Sequence, residues 1–201
     1  MKFDNASDQV QWEALRNGDT GAFSILYERY AKMLLSYGRK VHNDRQMVAD
    51  AVQELFTYLW NRRSYIGGTP SVKFYLIKAL RSIIIKELNK ASRNSPMLTD
   101  QDMDSHHSRE FEIIHNEEEE AAKLKMKLAL GGLSKREQEI LYLKYFTGAS
   151  NEEIAELLDI NYQSVKNTSF SAIKKLRKHF GAGSASMLLT FILLQESFIL
   201  R

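Results

Sequence analysis

The 201-residue chain contains no cysteine and has only two prolines and ten glycines. The missing cysteines exclude disulfides, thiolate zinc sites and cysteine nucleophiles, and they agree with a reducing compartment such as the cytosol. Sparse proline and glycine, with long windows rich in Leu, Glu, Lys and Ala, favour an all-α protein over a sheet protein. The first residues lack the apolar core of a signal peptide, so we expect no export and a cytoplasmic location.

Charge is unevenly distributed along the chain, although the net charge of +3 is too small to indicate nucleic acid by itself. Residues 1–92 carry about +5, residues 93–132 about −4 and residues 133–201 about +2. This pattern predicts two small helical domains joined by a flexible acidic linker that holds them apart. The predicted parts are a first module at 1–92, a linker at 93–120, a second module at 121–182 and an apolar tail at 183–201.

Three long helices are predicted in the first module. The first begins at Asp19 or Thr20, the second at Asn43 or Asp44 and the third at Pro70, all suitable for the start of a helix. Apolar residues then recur three and four positions apart, which predicts one buried face on each helix. The predicted buried face of the first helix consists of Phe23, Leu26, Tyr27, Tyr30, Met33, Leu34 and Tyr37.

The second module contains the sharpest local pattern. Ser134 with Glu137, and Ser150 with Glu153, each have the spacing of a capping box that starts a helix. A tight turn at 159–161 then precedes a longer helix that begins at Tyr162. Two helices joined by such a turn predict a helix-turn-helix. Its expected shared core is Ile154, Leu158, Ile160, Val165 and Ile173.

The longer helix has five basic residues and no acidic one between Gln163 and Gly181. Gln and Asn can pair with adenine edges and Lys with guanine, while lysines further along can neutralise phosphates. The other interpretation is a solvated basic helix on an ordinary three-helix bundle. Phe170 also lies on the face available to a groove. The candidate DNA-binding residues are Gln163, Ser164, Lys166, Asn167, Ser171, Lys174, Lys175 and Lys178.

Two blocks of sequence together resemble the extracytoplasmic-function group of sigma-seventy-type RNA polymerase initiation factors. Asp19 to Tyr30 with Asp44 to Trp60 is similar to conserved region two, and Leu133 to Lys178 is similar to region four. The resemblance implies a factor that binds core RNA polymerase and directs initiation at promoters. A different function, left open here, is a stand-alone helix-turn-helix regulator whose N-terminal bundle dimerises or senses a signal.

The resemblance assigns core polymerase binding to Asp50, Gln53 and Glu54, which match the family's D-x-x-Q-E motif. Their spacing of three and four places them on one helix face, away from the apolar stripe, where they can meet a basic partner helix. The alternative is an ordinary solvated face.

The resemblance also implies two promoter-binding regions. The family segments that open and read the minus-ten element match a basic and aromatic stretch, in which Tyr65 or Tyr75 could stack on an unpaired base. The helix from Tyr162 would read the minus-thirty-five element. The implied minus-ten residues are Arg62, Arg63, Tyr65, Lys73, Tyr75, Lys78, Arg81 and Lys86.

Several positions depart from the family's pattern. Thr168, Ser169 and Ser171 stand where many members have arginine, leucine and arginine, which predicts fewer direct phosphate contacts. The run from Tyr162 to Asn167 resembles forms frequent among sigma factors of the Bacteroidetes lineage.

The remaining signals are weaker. The apolar run from Met187 to Leu194 is too short to span a bilayer, which takes about 20 residues. We expect no membrane insertion; the tail packs on the protein, covers the DNA-reading helix or docks an anti-sigma factor. Histidines such as His106, His107 and His115 lack a metal-ligand spacing, so no metal or other cofactor is predicted. No Gly-rich phosphate loop or nucleophile elbow occurs, so no enzymatic activity is predicted.

Overall fold

The computed structural model describes residues 7–94 and 128–180, and the side chains of 92–94 and 179–180 lie outside the description. Most of the predicted linker, with its histidines, and the predicted tail also lie outside it. Every regular element of the described ranges is helical, which confirms the all-α class. The helices are α1 Asp8–Arg16, α2 Thr20–Val41, α3 Arg45–Arg62, α4 Val72–Asn94, α5 Lys135–Leu141, α6 Asn151–Leu158 and α7 Tyr162–Phe180.

Helices α1 to α4 form a bundle in which α2 and α3 start at the predicted caps, whereas α4 starts at Val72 and not at Pro70. Ser71 Oγ accepts from the Phe74 amide at 3.2 Å, so a serine after the proline caps this helix. The Asp19 carboxylate accepts from the Ala22 amide, and the Asp44 carboxylate accepts from the amides of Gln46 and Met47. Each side chain thereby satisfies amides that have no partner within the helix. The fully buried side chains of α2 to α4 include Leu34, Tyr37, Leu55, Leu59, Leu76, Ile77, Leu80 and Ile84.

The predicted apolar face of α2 is correct except at Tyr27, which is 45% exposed. Its ring lies edge-on to Phe56 with centroids 4.8 Å apart. Tyr27 therefore packs at the rim of the bundle with one side open to solvent, an arrangement that helical spacing alone does not distinguish from full burial.

A loop between α3 and α4 is held by α1. The Trp12 indole donates to the Gly67 carbonyl at 3.0 Å, and Arg16 Nε donates to the Ile66 carbonyl at 2.9 Å. The amides of Tyr65 and Ile66 bond back to the Arg62 carbonyl at 2.8 and 3.1 Å. These contacts fix the path of the chain just after the predicted basic and aromatic segment.

The second module contains both predicted capping boxes. Ser134 and Glu137 bond reciprocally at the start of α5, and Ser150 and Glu153 do so at the start of α6. Asp159 then adopts a left-handed conformation with φ 52°, which reverses the chain. Asn161 accepts from the Ser164 amide at 2.7 Å and starts α7. The predicted helix-turn-helix is therefore present.

One turn of this module is not a regular α-helix. Tyr142–Phe146 form a π-helical turn after α5, and the Thr147 amide bonds to the Tyr142 carbonyl at 3.2 Å. The Leu143 carbonyl accepts from both the Thr147 hydroxyl at 2.6 Å and the Ala149 amide at 3.0 Å.

The two modules pack against each other, whereas the sequence predicted that a linker holds them apart. One continuous apolar cluster includes Leu34 and Ile84 from the first module with Ile140, Leu143 and Ile154 from the second. The modules meet because the apolar faces of one fit those of the other and their hydrogen-bonding groups pair. These residues lie far apart in the sequence.

Candidate nucleic-acid interface

The predicted core-binding residues share one exposed face of α3. Asp50, Gln53 and Glu54 are exposed, while Val52 and Leu55 beside them in the sequence are buried. Gln46 Nε2 donates to Asp50 Oδ1 at 3.0 Å, which orients that carboxylate. The exposed face therefore carries two carboxylates and an amide.

The basic and aromatic segment after α3 separates the two candidate tyrosines. Tyr65 is 83% exposed, whereas Tyr75 packs edge-on against Trp12 with centroids 5.0 Å apart. Burial, followed by the nearby Tyr58, raises the pKa of Tyr75 above its ordinary value. Tyr65 therefore has the free ring that stacking on a base requires. The Arg63 guanidinium lies 4.4 Å from the centre of the Trp60 ring, a cation–π contact that holds it near the surface.

Three of the predicted minus-ten cations on α4 contact the second module. Lys73 Nζ donates to the Thr147 carbonyl. Lys78 pairs with Glu156 at 2.5 Å, and Arg81 Nε pairs with Glu139 at 3.1 Å. Lys86, further along α4, is exposed. The structure thus brings Lys73, Lys78 and Arg81 into contact with the second module, while the Lys78 side chain stays 51% exposed.

The first half of α7 presents amide, cationic and apolar groups together. Gln163 Nε2 donates to Asn167 Oδ1 at 2.9 Å, and Lys166 Nζ lies 5.6 Å from the centre of the Tyr162 ring. Phe170 is 68% exposed, although it is one of the largest apolar side chains of the helix. An exposed phenyl ring beside amides suits contact with a thymine methyl group. The sequence indicated its exposure but not a role.

Two predicted DNA contacts on α7 bind a glutamate of the same module. Ser171 Oγ donates to Glu137 Oε1 at 3.1 Å, and Lys175 Nζ pairs with Glu137 Oε2 at 2.8 Å. Glu137 is buried, with 7% of its side chain exposed. Burial opposes ionisation, but hydrogen bonds from Lys175, the Ser134 amide and the two serine hydroxyls outweigh it and lower the pKa of Glu137. Sequence reasoning identified Glu137 only as a capping residue.

The Glu137→Gln variant is expected to lose about 1–3 kcal/mol of unfolding free energy at pH 7, because the bonds to Lys175 and Ser134 lose their ionised acceptor. A lowered folded-state pKa stabilises the protein above the ordinary pKa of 4.5. This stability is lost as the pH falls through the folded-state value. Urea unfolding between pH 7 and pH 3 should show the two proteins converging at low pH.

The matched control for this experiment is Glu153→Gln, which changes the equivalent capping residue of α6. It should shift stability less, because Glu153 is less buried than Glu137. A difference between wild type and Glu137→Gln that is as large at pH 3 as at pH 7 would contradict the role of the ionised carboxylate.

Comparison with known proteins identifies the family of the chain. Residues 26–94 match Sigma-70 region 2, and residues 123–176 match Sigma-70, region 4. The ECF RNA polymerase sigma factor SigL of Mycobacterium tuberculosis is 30% identical over 156 residues, which cover 76% of this chain and 85% of SigL. The chain belongs to the extracytoplasmic-function sigma factors. SigX of Bacillus subtilis, another ECF sigma factor, is 24% identical over 161 residues that cover 78% of this chain and 82% of SigX.

Two solved structures have a similar fold at low identity. CnrH in complex with the cytosolic domain of CnrY gives a TM-score of 0.56 at 20% identity and covers 85% of this chain and 95% of that chain. The sigma factor RpoE in complex with the anti-sigma factor NepR from Bartonella quintana gives 0.55 at 16% identity, covering 79% and 96%. The matches to regions 2 and 4 and the 30% identity with SigL show that the protein is an initiation factor of RNA polymerase. The region 2 match of the first module favours this function over the stand-alone regulator.

Within residues 7–94 and 128–180, no helix has both the length and the apolar character needed to cross a bilayer. Over the same ranges, no three His, Asp or Glu side chains come together as a metal site would require.

Proposed function

We propose that this sigma factor binds core RNA polymerase through Asp50, Gln53 and Glu54. The observation that carries this assignment is their common exposure on α3, opposite the buried stripe of the same helix. Two carboxylates and an amide at this spacing complement a basic partner helix.

We propose that the segment after α3 and the adjoining side of α4 open and read the minus-ten element. The exposed ring of Tyr65 is suited to stack on an unpaired base. Arg62, three positions before it, and Lys86 on α4 are also exposed. Lys73, Lys78 and Arg81 add cations that can follow a phosphate backbone once the second module releases them. Arg63 and Tyr75 serve this surface from more buried positions.

We propose that α7 reads the minus-thirty-five element in the major groove. Gln163, Lys166 and Asn167 supply groups for base edges, while Lys174 and Lys178 are exposed and face phosphates. Ser164 is half-buried near the start of the helix. Ser171 and Lys175, which bind Glu137, are proposed to contact DNA from the edge of this surface.

We also propose the domain bounds, the cellular location and one further partner of the protein. Domain bounds of 1–92 and 121–182, separated by a linker and followed by an apolar tail, fit the charge distribution. We propose a cytoplasmic protein of Bacteroidetes-like lineage, on the grounds of its polymerase partner and the Tyr162 to Asn167 run. An anti-sigma factor is a proposed partner because both similar structures are complexes, one of them with a protein named as an anti-sigma factor. Catalysis belongs to the polymerase.

Run-off transcription with core polymerase from the source organism tests the proposal. Genomic fragments are transcribed with and without the protein, and we expect initiation at discrete sites only when it is present. Mapping the start sites then yields both promoter elements. Silence of the full chain and of a chain cut after Lys178, with no binding to core, would contradict the proposal. Activity of the shortened chain alone would instead make the tail an inhibitor.

A further inference from the structure

One face of α1 donates three hydrogen bonds to the loop at 66–70. Gln9, Trp12 and Arg16 are three and four residues apart, so they lie on the same side of the helix. The distances from Gln9 Nε2, Trp12 Nε1 and Arg16 Nε to their carbonyl oxygens are 3.0, 3.0 and 2.9 Å. The accepting carbonyls belong, in the same order, to Pro70, Gly67 and Ile66.

These bonds fix an irregular segment of backbone. Carbonyl groups outside helices need other hydrogen-bond partners, and α1 supplies them here. The loop is also held at its start, because the amides of Tyr65 and Ile66 bond to the Arg62 carbonyl. The Ile66 side chain is buried in the core, whereas the Tyr65 ring is 83% exposed. The place of that ring therefore depends on the backbone that α1 holds.

The three α1 side chains are engaged with protein groups. Arg16 Nη1 contacts both carboxylate oxygens of Glu13, at 2.8 and 2.6 Å, which leaves its Nε directed at the loop. Trp12 is 1% exposed and packs edge-on against Tyr75 near the start of α4. The helix thus contacts both the loop and α4. The match to Sigma-70 region 2 begins at residue 26, after α1 has ended.

We propose that α1 is a positioning element of the minus-ten reader, in which Gln9, Trp12 and Arg16 hold the loop so that the Tyr65 ring receives an unpaired base. The inference rests on the proposed minus-ten role of the segment after α3. A loop that is ordered before DNA arrives needs no ordering while the promoter opens. The three side chains act through Tyr65 and do not contact the DNA.

The double variant Gln9→Met with Arg16→Met tests the inference by removing two of the three donors. Holoenzyme made with the full chain is mixed with a promoter mapped by run-off transcription, with 2-aminopurine in the minus-ten element to report opening. We expect opening about tenfold slower than wild type, because two hydrogen bonds to the loop are lost. Affinity for core polymerase and for the unopened promoter should stay within about twofold, since these steps do not use the loop.

The matched control is Lys32→Met with Gln138→Met, which also removes one cation and one amide donor. Lys32 is exposed on α2, and Gln138 Nε2 donates to two carbonyls of the second module at 3.1 Å. The control should open the promoter within about twofold of the wild-type rate. Equal slowing in control and test would overturn the inference. Circular dichroism checks folding; if the test variant is not folded, Gln9→Met alone, at an exposed site, should still slow opening about threefold.

A double-mutant cycle with Tyr65→Ala distinguishes positioning from a general loss of stability. If α1 acts through the Tyr65 ring, the α1 substitutions should slow opening by less than about twofold once that ring is absent. A further slowing of about tenfold in the Tyr65→Ala background would show independent effects and would overturn the inference.

A cross-link between α1 and the loop should restore the function. Since the chain has no native cysteine, Gln9→Cys with Pro70→Cys can be joined specifically by a bis-maleimide. The cross-linked form should open the promoter at least about threefold faster than the same variant capped with N-ethylmaleimide, because the link replaces the lost restraint. Equal rates for the two forms would overturn the inference.

Failure of the proposed function gives a different result from failure of the inference. If Tyr65→Ala leaves promoter opening by the holoenzyme unchanged, the minus-ten role of Tyr65 is wrong. If Tyr65→Ala slows opening while the α1 variant opens the promoter like its control, the minus-ten role stands and only the positioning role of α1 is refuted.

Discussion

Gln53→Ala with Glu54→Ala is expected to weaken binding to core RNA polymerase by about 2 kcal/mol or more, which is roughly 30-fold. Both side chains are exposed on α3, so their truncation costs the fold little. In the complex, the variant lacks the Gln53 amide and the Glu54 carboxylate. The basic groups of the partner helix then remain desolvated without their partners. The affinity of the labelled protein for purified core enzyme measures the loss directly.

The control for the core-binding variant is Glu28→Ala, which truncates an exposed glutamate on α2. It should leave the affinity for core within about twofold, the range expected for a surface charge outside the interface. The affinity of the double variant for minus-thirty-five duplex should also be unchanged. Loss of both activities would contradict the separation of the two surfaces, and wild-type affinity for core would contradict the assignment of the motif.

Lys166→Ala with Asn167→Ala should have the reverse effect, with weaker promoter binding and unaltered core binding. A good base contact contributes about 1–3 kcal/mol of discrimination, so we expect roughly 10- to 100-fold less preference for the mapped minus-thirty-five sequence. Asn167 also accepts from Gln163, so its loss frees that amide from the orientation it has in the wild type. Holoenzyme binding to promoter fragments with intact and scrambled minus-thirty-five elements measures the preference.

Salt dependence separates base contacts from phosphate contacts in this experiment. Lys174→Ala should lower affinity for every sequence and reduce the salt slope by about one, without changing the preference. Lys32→Ala, an exposed lysine of α2, is the control and should change neither quantity. An unchanged preference in the Lys166 and Asn167 variant would remove α7 from base readout.

The two candidate tyrosines show the limit of what residue spacing predicts. Spacing placed Tyr65 and Tyr75 in one basic and aromatic stretch and could not choose between them. The choice came from Trp12, more than fifty residues earlier, which packs against Tyr75 and leaves Tyr65 open. The exposure of a side chain depends on which other helix packs over it, and local periodicity does not predict that helix.

The sequence by itself determined the features that depend on neighbours three or four residues apart. Both capping boxes, the caps at Asp19 and Asp44, the amphipathic stripes and the helix-turn-helix follow from hydrogen bonds and side-chain spacing within one or two turns. The composition alone indicated the helical class.

Only the tertiary structure decided which charges are paired and which are free. Glu139 meets Tyr37 across 102 positions and Arg81 across 58, and Glu137 meets Lys175 across 38. From the sequence alone, a charged side chain is predicted to be solvated, because the sequence does not show which partner the packing brings to it. The interface between the modules, and the cations that take part in it, therefore depend on how whole helices meet.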